Sequence, residues 1–196
     1  MYITRHELDS INTPYFTRRV IMGALASTIV TAAPVYSSTF GFLRNGGDAR
    51  RIKMYSGISG ESIDIIYAID GQYISEAISE ISYFMRDLRR NKTKPIDTRT
   101  LDLIAATFNL MDVSGAYLLL SGYRTKQTND MLRRRSKDVA RNSLHISGQA
   151  IDLRHKNRSV KQISRAAASC SAGGVGRYTE SNFVHMDCGQ VRIWGT

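Results

Sequence analysis

The chain is poor in cysteine, proline and tryptophan, with two, three and one of them among 196 residues. Two cysteines, Cys170 and Cys188, exclude a disulfide-built scaffold, and the lack of any C-x-x-C spacing excludes a cysteine metal knuckle or dithiol redox motif. The residues leave open one bridge or two small buried thiols. No internal repeat or low-complexity linker divides the chain, and its length suits one ordinary domain. Acidic residues are also scarce, 17 against 27 basic ones, for a formal charge of +10. That excess favours polyanionic surroundings such as nucleic acid, acidic lipid or an anionic envelope, without choosing among them. Hydrophobic and charged fractions of 42% and 22% are those of a globular domain.

Long apolar runs are missing too. Val20 to Ala33 is uncharged but short of the roughly twenty residues that a membrane-spanning helix needs. It has the length of a signal-peptide core, and Arg18 and Arg19 precede it. The flank T-R-R-V-I-M, Thr17 to Met22, looks like a twin-arginine export signal. Pro34 spoils the nearest small-residue cleavage site, after Ala32-Ala33. The expected organisation is a leader over residues 1–38, a linker over 39–50 and one domain over 51–196. Removing the leader subtracts three arginines and two acids, so the mature charge stays near +9 (+10 less +1).

Within that domain, Arg51 to Ser56 and Ser62 to Ile69 read as strands joined by a turn at Gly57 to Glu61. Ile74, Ala77, Ile78, Ile81, Phe84, Met85 and Leu88 recur at helical spacing and predict a helix from Ser75 to Arg90. Arg86, Arg89, Arg90 and Lys92 would then form a solvated basic end. Asp97 or Thr98 caps a second helix with Leu101, Ile104, Ala105, Phe108 and Met111 inward. Ala116 to Ser121 reads as a buried strand, and Thr128 to Lys137 as a polar helix. A strand follows at Ala150 to Arg154, then a helix from Ser159 to Ser171, then a strand pair between Gly174 and Trp194. The pattern predicts an α+β fold, helices on a mostly antiparallel sheet.

Histidine is sparse, and its placement carries the chemistry. His145 stands seven residues before Asp152 with Gly148 between them, so a loop can fold back over the strand that presents Asp152. Strand alternation puts Asp152 opposite Ile151 and Leu153, and puts Phe183, His185 and Asp187 opposite Val184 and Met186. An ionised aspartate within an apolar run is costly unless compensated, and a divalent metal compensates it well. If the two strands are neighbours, two imidazoles and a carboxylate converge, and a fourth position left to water makes a catalytic rather than a structural zinc site. By spacing alone, a histidine on a strand is more often a hydrogen-bonded core residue. His155 alternates away from Asp152 and is peripheral.

The strings S-G-Y-R-T at 121–125, N-S-L-H-I-S-G-Q-A-I-D at 142–152 and G-G-V-G-R-Y-T-E-S-N-F-V-H-M-D at 173–187 resemble the murein endopeptidase K-like zinc peptidases, which share the hedgehog/D-alanyl-D-alanine-peptidase fold. S-Y-F-M-R-D-L-R-R-N-K at 82–92, the R-I-W ending and the leader resemble them as well. The resemblance implies one Zn2+ held by His145, Asp152 and His185, with Arg124 contacting substrate and stabilising the oxyanion. It implies an exported periplasmic enzyme that cleaves peptide cross-links of peptidoglycan; a monomer is expected. One departure stands out: several relatives carry an acidic general base three positions before the last histidine, where this chain has Asn182. Asp187 is the candidate to replace it, or else it orients an imidazole N–H. Ser143, Ser147 and Tyr178 are candidates to line the cleft.

Three other readings accompany this one. A D-alanyl-D-alanine carboxypeptidase or dipeptidase would need a cleft closed on one side of the metal. A non-catalytic wall-binding module would keep the zinc as structure. A nucleic-acid binder rests on charge alone, lacks a motif and conflicts with an export signal.

Overall fold

The computed structural model describes residues 49–195, so the expected leader and most of the linker lie outside the described residues. The first strand begins at Ala49, two residues ahead of the expected Arg51, and β1 (Ala49–Ser56) pairs antiparallel with β2 (Ser62–Ile69). A short β3 (Gln72–Tyr73), unforeseen in the sequence, turns back on β2 around Asp70 and Gly71, both in the left-handed region. The remaining strands are β4 (Tyr117–Ser121), β5 (Ala150–His155), β6 (Gly174–Tyr178), β7 (Phe183–Asp187) and β8 (Arg192–Gly195). They form one sheet of eight in the order β3-β2-β1-β4-β5-β7-β6-β8. Only β1–β4 and β6–β8 run parallel, which bears out the mostly antiparallel α+β expectation. The expected strand pair at the C-terminal end is a hairpin with a third strand added.

Four α-helices accompany the sheet: α1 (Ser75–Phe84), α2 (Thr98–Met111), α3 (Lys126–Arg133) and α4 (Val160–Ser169). Helix α2 packs against β1, β7 and α4, and α1 against β2. The core lies between these helices and one sheet face, where Ile151, Leu153, Val184 and Met186 are fully buried beside Leu101, Leu103 and Ile104. Each such side chain contributes roughly 1.5–3 kcal/mol by leaving water. Alternation along β5 and β7 therefore turns Asp152, His185 and Asp187 to the opposite face. No helix among the described residues is long and apolar enough to cross a membrane.

Helix α1 ends at Phe84, six residues before the expected Arg90. Tertiary contacts override the periodicity here: the Met85 carbonyl accepts from the Tyr123 amide at 2.8 Å. Asp87 is buried, and its carboxylate accepts from the Arg89 amide, the Thr125 amide and the Thr125 hydroxyl. The basic run is thus a pinned loop and not the end of a helix. Arg86 leaves it to pair with Glu61 at 3.0 Å.

Helix α2 is capped by Asp97, whose side chain accepts from the Arg99 amide, and α4 by a Ser159–Gln162 capping box. Helix α3 starts two residues earlier than expected, after Thr125 as its cap, and ends at Arg133. Cys170 and Cys188 are both buried free thiols.

Candidate metal centre

Two adjacent strands and one turn build the site. Strands β5 and β7 pair in a register that sets Asp152 directly opposite His185, so their side chains leave the same face as cross-strand neighbours. His145 arrives from a 3-10 turn, Leu144–Ser147, which Ser143 caps and Gly148 ends in the left-handed region at φ 74°. A side chain on Gly148 would also lie 2.4 Å from the Pro95 carbonyl oxygen, so the turn sits flush against the Pro95–Asp97 segment. The Asp97 amide donates to the Gly148 carbonyl at 2.9 Å and fixes that approach.

His145 Nε2, His185 Nδ1 and Asp152 Oδ1 meet at one point, with separations of 3.2 Å between the two nitrogens and 3.2 and 2.9 Å from each to the oxygen. Four ligands tetrahedrally arranged around zinc at about 2.05 Å lie about 3.3 Å apart, so the triangle has nearly the size that a zinc ion requires. These three residues are the His/Cys/Asp/Glu group among the described residues with metal-binding spacing.

The outer atoms of the rings argue the same way. His145 Nδ1 donates to the Gly122 carbonyl at 2.7 Å, and His185 Nε2 donates to Asp187 Oδ2 at 3.0 Å. Each bond places the proton of a neutral ring on the outside and turns a lone pair inward. Two lone pairs and a carboxylate oxygen directed at one point repel one another unless a cation joins them. His145 is only 1% exposed, and burial holds its pKa below the ordinary histidine value against the pull of Asp152. Burial also opposes charge on His185, but hydrogen bonds to Asp152 and Asp187 win and raise its pKa. Burial would raise Asp152 too, yet His145, His185 and Arg124 hold it well below the usual carboxylate range.

Arg124 lies on the same face. A bulge in β4 puts Ser121, not Leu120, opposite Asp152, and such an extra residue bends a strand and re-aims its side chains. Arg124 Nε donates to Ser121 Oγ at 2.7 Å, and its Nη2 pairs with Asp152 Oδ2. Asp187 occupies the far side of the His185 ring from the triad and is fully buried. Its Oδ1 accepts from the Gly174 and Gly189 amides and from Arg192, which also reaches Oδ2. Burial disfavours its charge, but His185, Arg192 and the Gly189 amide hold its pKa at about 2.

A cleft of about 560 Å3 opens over these residues. It crosses the sheet from Leu120 on β4, over Asp152 on β5 and His185 on β7 with His145 beside them, to Tyr178 on β6 and Trp194 on β8. Ser143 and Tyr178 line it as expected, whereas Ser147 does not: its hydroxyl donates to the Leu144 carbonyl and Gln149 Oε1. His155 is buried against Phe108 and Tyr117 on the other face, away from the triad. A second hollow of about 400 Å3 beside β1 and α2 has no carboxylate or imidazole in its lining.

Four contributors had no place in the site from the sequence. The Gly122 carbonyl is backbone and gives no side-chain signal. Arg192 lies over Trp194, 4.7 Å from its ring, and Trp194 is 5.3 Å from the His185 ring; the R-I-W ending carries resemblance to the family but no local sign of a place in the site. Arg89, expected on a solvated face, lines the cleft.

A family model described as "Peptidoglycan L,D-endopeptidase MepK" matches residues 44–194. The peptidoglycan L,D-endopeptidase MepK of Escherichia coli strain K12 is 41% identical over 136 residues, which is 69% of this chain and 75% of that protein. The protein of the same name in Shigella flexneri gives the same values. The probable peptidoglycan L,D-endopeptidase MepK of Haemophilus influenzae is 34% identical over 137 residues, 69% of this chain and 74% of that protein.

Proposed function

The chain belongs to the peptidoglycan L,D-endopeptidase MepK family, and on that footing we propose that it hydrolyses peptide cross-links of peptidoglycan with one zinc ion held by His145, Asp152 and His185. The observation that carries the metal reading is the convergence of His145 Nε2, His185 Nδ1 and Asp152 Oδ1 while both outer ring nitrogens donate elsewhere. When bound, zinc supplies a Lewis acid that polarises a carbonyl and lowers the pKa of water toward neutrality.

The chain's own groups do the rest. Asp187 keeps the His185 proton on Nε2, and the Gly122 carbonyl keeps the His145 proton on Nδ1, so both rings stay in the ligating tautomer. Asp187 is therefore a positioning residue here and not the general base. Arg124 is anchored by Ser121 and Asp152 and lines the cleft, where its uncommitted N–H groups would meet the charge that develops on the scissile carbonyl oxygen. The cleft continues on both flanks of the triad, toward β4 and toward β6 and β8. That supports cleavage within a cross-link over trimming of chain ends. The proposal extends to residues 1–38 as a twin-arginine leader, 51–196 as the peptidase domain, and a periplasmic monomer whose basic surface suits an acidic wall.

The test is to incubate the zinc-loaded protein and its His185→Ala variant with muropeptide dimers joined either through D-alanine or directly between diaminopimelate residues. Monomer release by the native chain and not by the variant is the expected result, and the better substrate names the bond. Dimers left intact by zinc-loaded native protein would overturn the endopeptidase reading.

A further inference from the structure

Six charged side chains other than the histidines line the cleft: Arg89, Arg124 and Arg192, and Asp138, Asp152 and Asp187. Four of them form ion pairs with each other, Arg124 with Asp152 and Arg192 with Asp187. Asp138 accepts from the Ser136 hydroxyl and forms no ion pair among the described residues. Arg89 is left as the cleft's one cation whose side chain has no ion pair or hydrogen bond among the described residues.

Its backbone, in contrast, is held firmly. The Arg89 amide donates to Asp87 Oδ1 at 3.1 Å, while Asp87 Oδ2 takes the Thr125 amide at 2.9 Å and the Thr125 hydroxyl at 2.8 Å. Asp87 is 3% exposed, and the donors around it outweigh burial and keep its pKa low. One buried carboxylate thus ties the residue after Arg124 to the residue that carries the second arginine. The loop is closed again by the Asp87–Lys92 backbone bridge, and the Tyr123 amide bonds Met85 at its start. A guanidinium without an ion pair among the described residues, on a tethered backbone, in a cleft whose other two arginines pair with carboxylates, is what a site for a fixed anion requires.

We propose that Arg89 binds a carboxylate of the substrate on the β4 side of the triad, and so selects peptides that carry a free carboxylate near the scissile bond over those in which it is amidated. This deepens the peptidoglycan reading and rests on it for the identity of the peptide. A planar guanidinium takes a carboxylate through two parallel N–H bonds, and a carboxamide, with one oxygen and a donor nitrogen, loses one of them along with the charge. Lysine preserves charge and not the fork.

The test uses the full chain, a cross-linked muropeptide with free carboxylates, and the same compound with those carboxylates amidated. Binding is measured by calorimetry on metal-free protein, and cleavage as kcat/KM on zinc-loaded protein. The native chain is expected to prefer the free carboxylate by about 10–100-fold in affinity, with Arg89→Gln collapsing that ratio to near one and Arg89→Lys keeping part of it. Zinc content and melting temperature of both variants should match the native chain, because Arg89 is exposed and touches no ligand of the triad. Binding preference in a chain that cleaves neither compound would refute the peptidase reading and leave the Arg89 site standing. An Arg89→Gln variant that retains the native ratio, or a native chain that binds both forms equally, overturns the proposal.

Discussion

Replacing Asp187 by asparagine separates the two roles that the sequence allows it. In the folded chain its Oδ2 takes the His185 Nε2 proton at 3.0 Å, and its Oδ1 takes the Gly174 and Gly189 amides at 3.1 and 2.9 Å. An asparagine cannot serve both sides. With its oxygen toward the two amides, its NH2 faces the His185 N–H. Turned around, it sets donors against two backbone amides, which is the worse choice. The imidazole relieves the first conflict by moving its proton to Nδ1, where Asp152 Oδ1 stands 2.9 Å away and accepts it. The lone pair meant for metal is then used up. Loss of such an outer partner costs about 10–100-fold in metal affinity, or about 1.4–2.7 kcal/mol.

The assay is zinc competition against a chromophoric chelator for native chain, Asp187→Asn and His185→Ala, with melting curves to confirm that each variant is folded. Asp187→Asn should fall between the other two in affinity, and saturating zinc should restore much of its activity. If Asp187 were the general base, the variant would bind zinc as tightly as the native chain and stay inactive at any zinc concentration. Unchanged affinity together with unchanged activity would refute both roles.

Gly148→Ala should lower stability by roughly 2–4 kcal/mol in denaturant unfolding, since it combines a left-handed residue with a Cβ placed 2.4 Å from the Pro95 oxygen; zinc affinity should fall with it because the turn carries His145. Burial disfavours the Asp97 carboxylate, but Arg99 and Gln149 hold its pKa at about 2, below the ordinary 3.8. A depressed carboxylate stabilises the fold above its unfolded pKa and loses that contribution as pH falls through the folded one. The stability gap between native chain and Asp97→Ala should therefore shrink by roughly 2 kcal/mol from pH 5 to pH 2 in unfolding titrations. Burial pushes the Cys170 thiol up to about 11 and raises Cys188 as well. An aromatic disulfide reagent at pH 8 should thus titrate neither in the folded chain and both in denaturant without reductant, whereas a Cys170–Cys188 bridge would yield none.

Most of the fold is legible where local signals and burial agree. Alternation in β5 and β7 placed Asp152 and His185 on the face away from the core, because Ile151, Leu153, Val184 and Met186 have one possible destination. The cap expected at Asp97 or Thr98 marked the start of α2, and Asp97 fills it. Legibility fails where a distant group decides. The α1 periodicity runs on through Met85 and Leu88, but the Met85 carbonyl belongs to Tyr123 and Asp87 belongs to Thr125, residues more than thirty positions away. Nothing local announces that Arg89 turns from a helix end into a cleft wall. The β5–β7 register, on which the metal site depends, is likewise long-range; the sequence supplies the faces and not the pairing.

Asn182 shows how backbone and chemistry compete for one position. From its place three residues before His185 it looks like a site residue lacking its acid. In the folded chain it is exposed at the β6–β7 turn, at φ 52°, and its amide donates to the Thr179 carbonyl. Asparagine is among the few side chains that enter this region at little cost, because its short amide bonds locally; a longer glutamate loses roughly 1–2 kcal/mol there. The residue is accounted for by the turn that brings β7 back beside β6 in register, and with it by the placement of His185 opposite Gly176 and Asp152. On this geometry an Asn182→Glu variant restores no proton acceptor to the triad. It loosens the hairpin, and the expected result is a lower melting temperature with no gain in kcat. A gain in kcat would mean that the turn can yield to the chemistry, and that the acid missing from position 182 is a loss that this chain has not made good elsewhere.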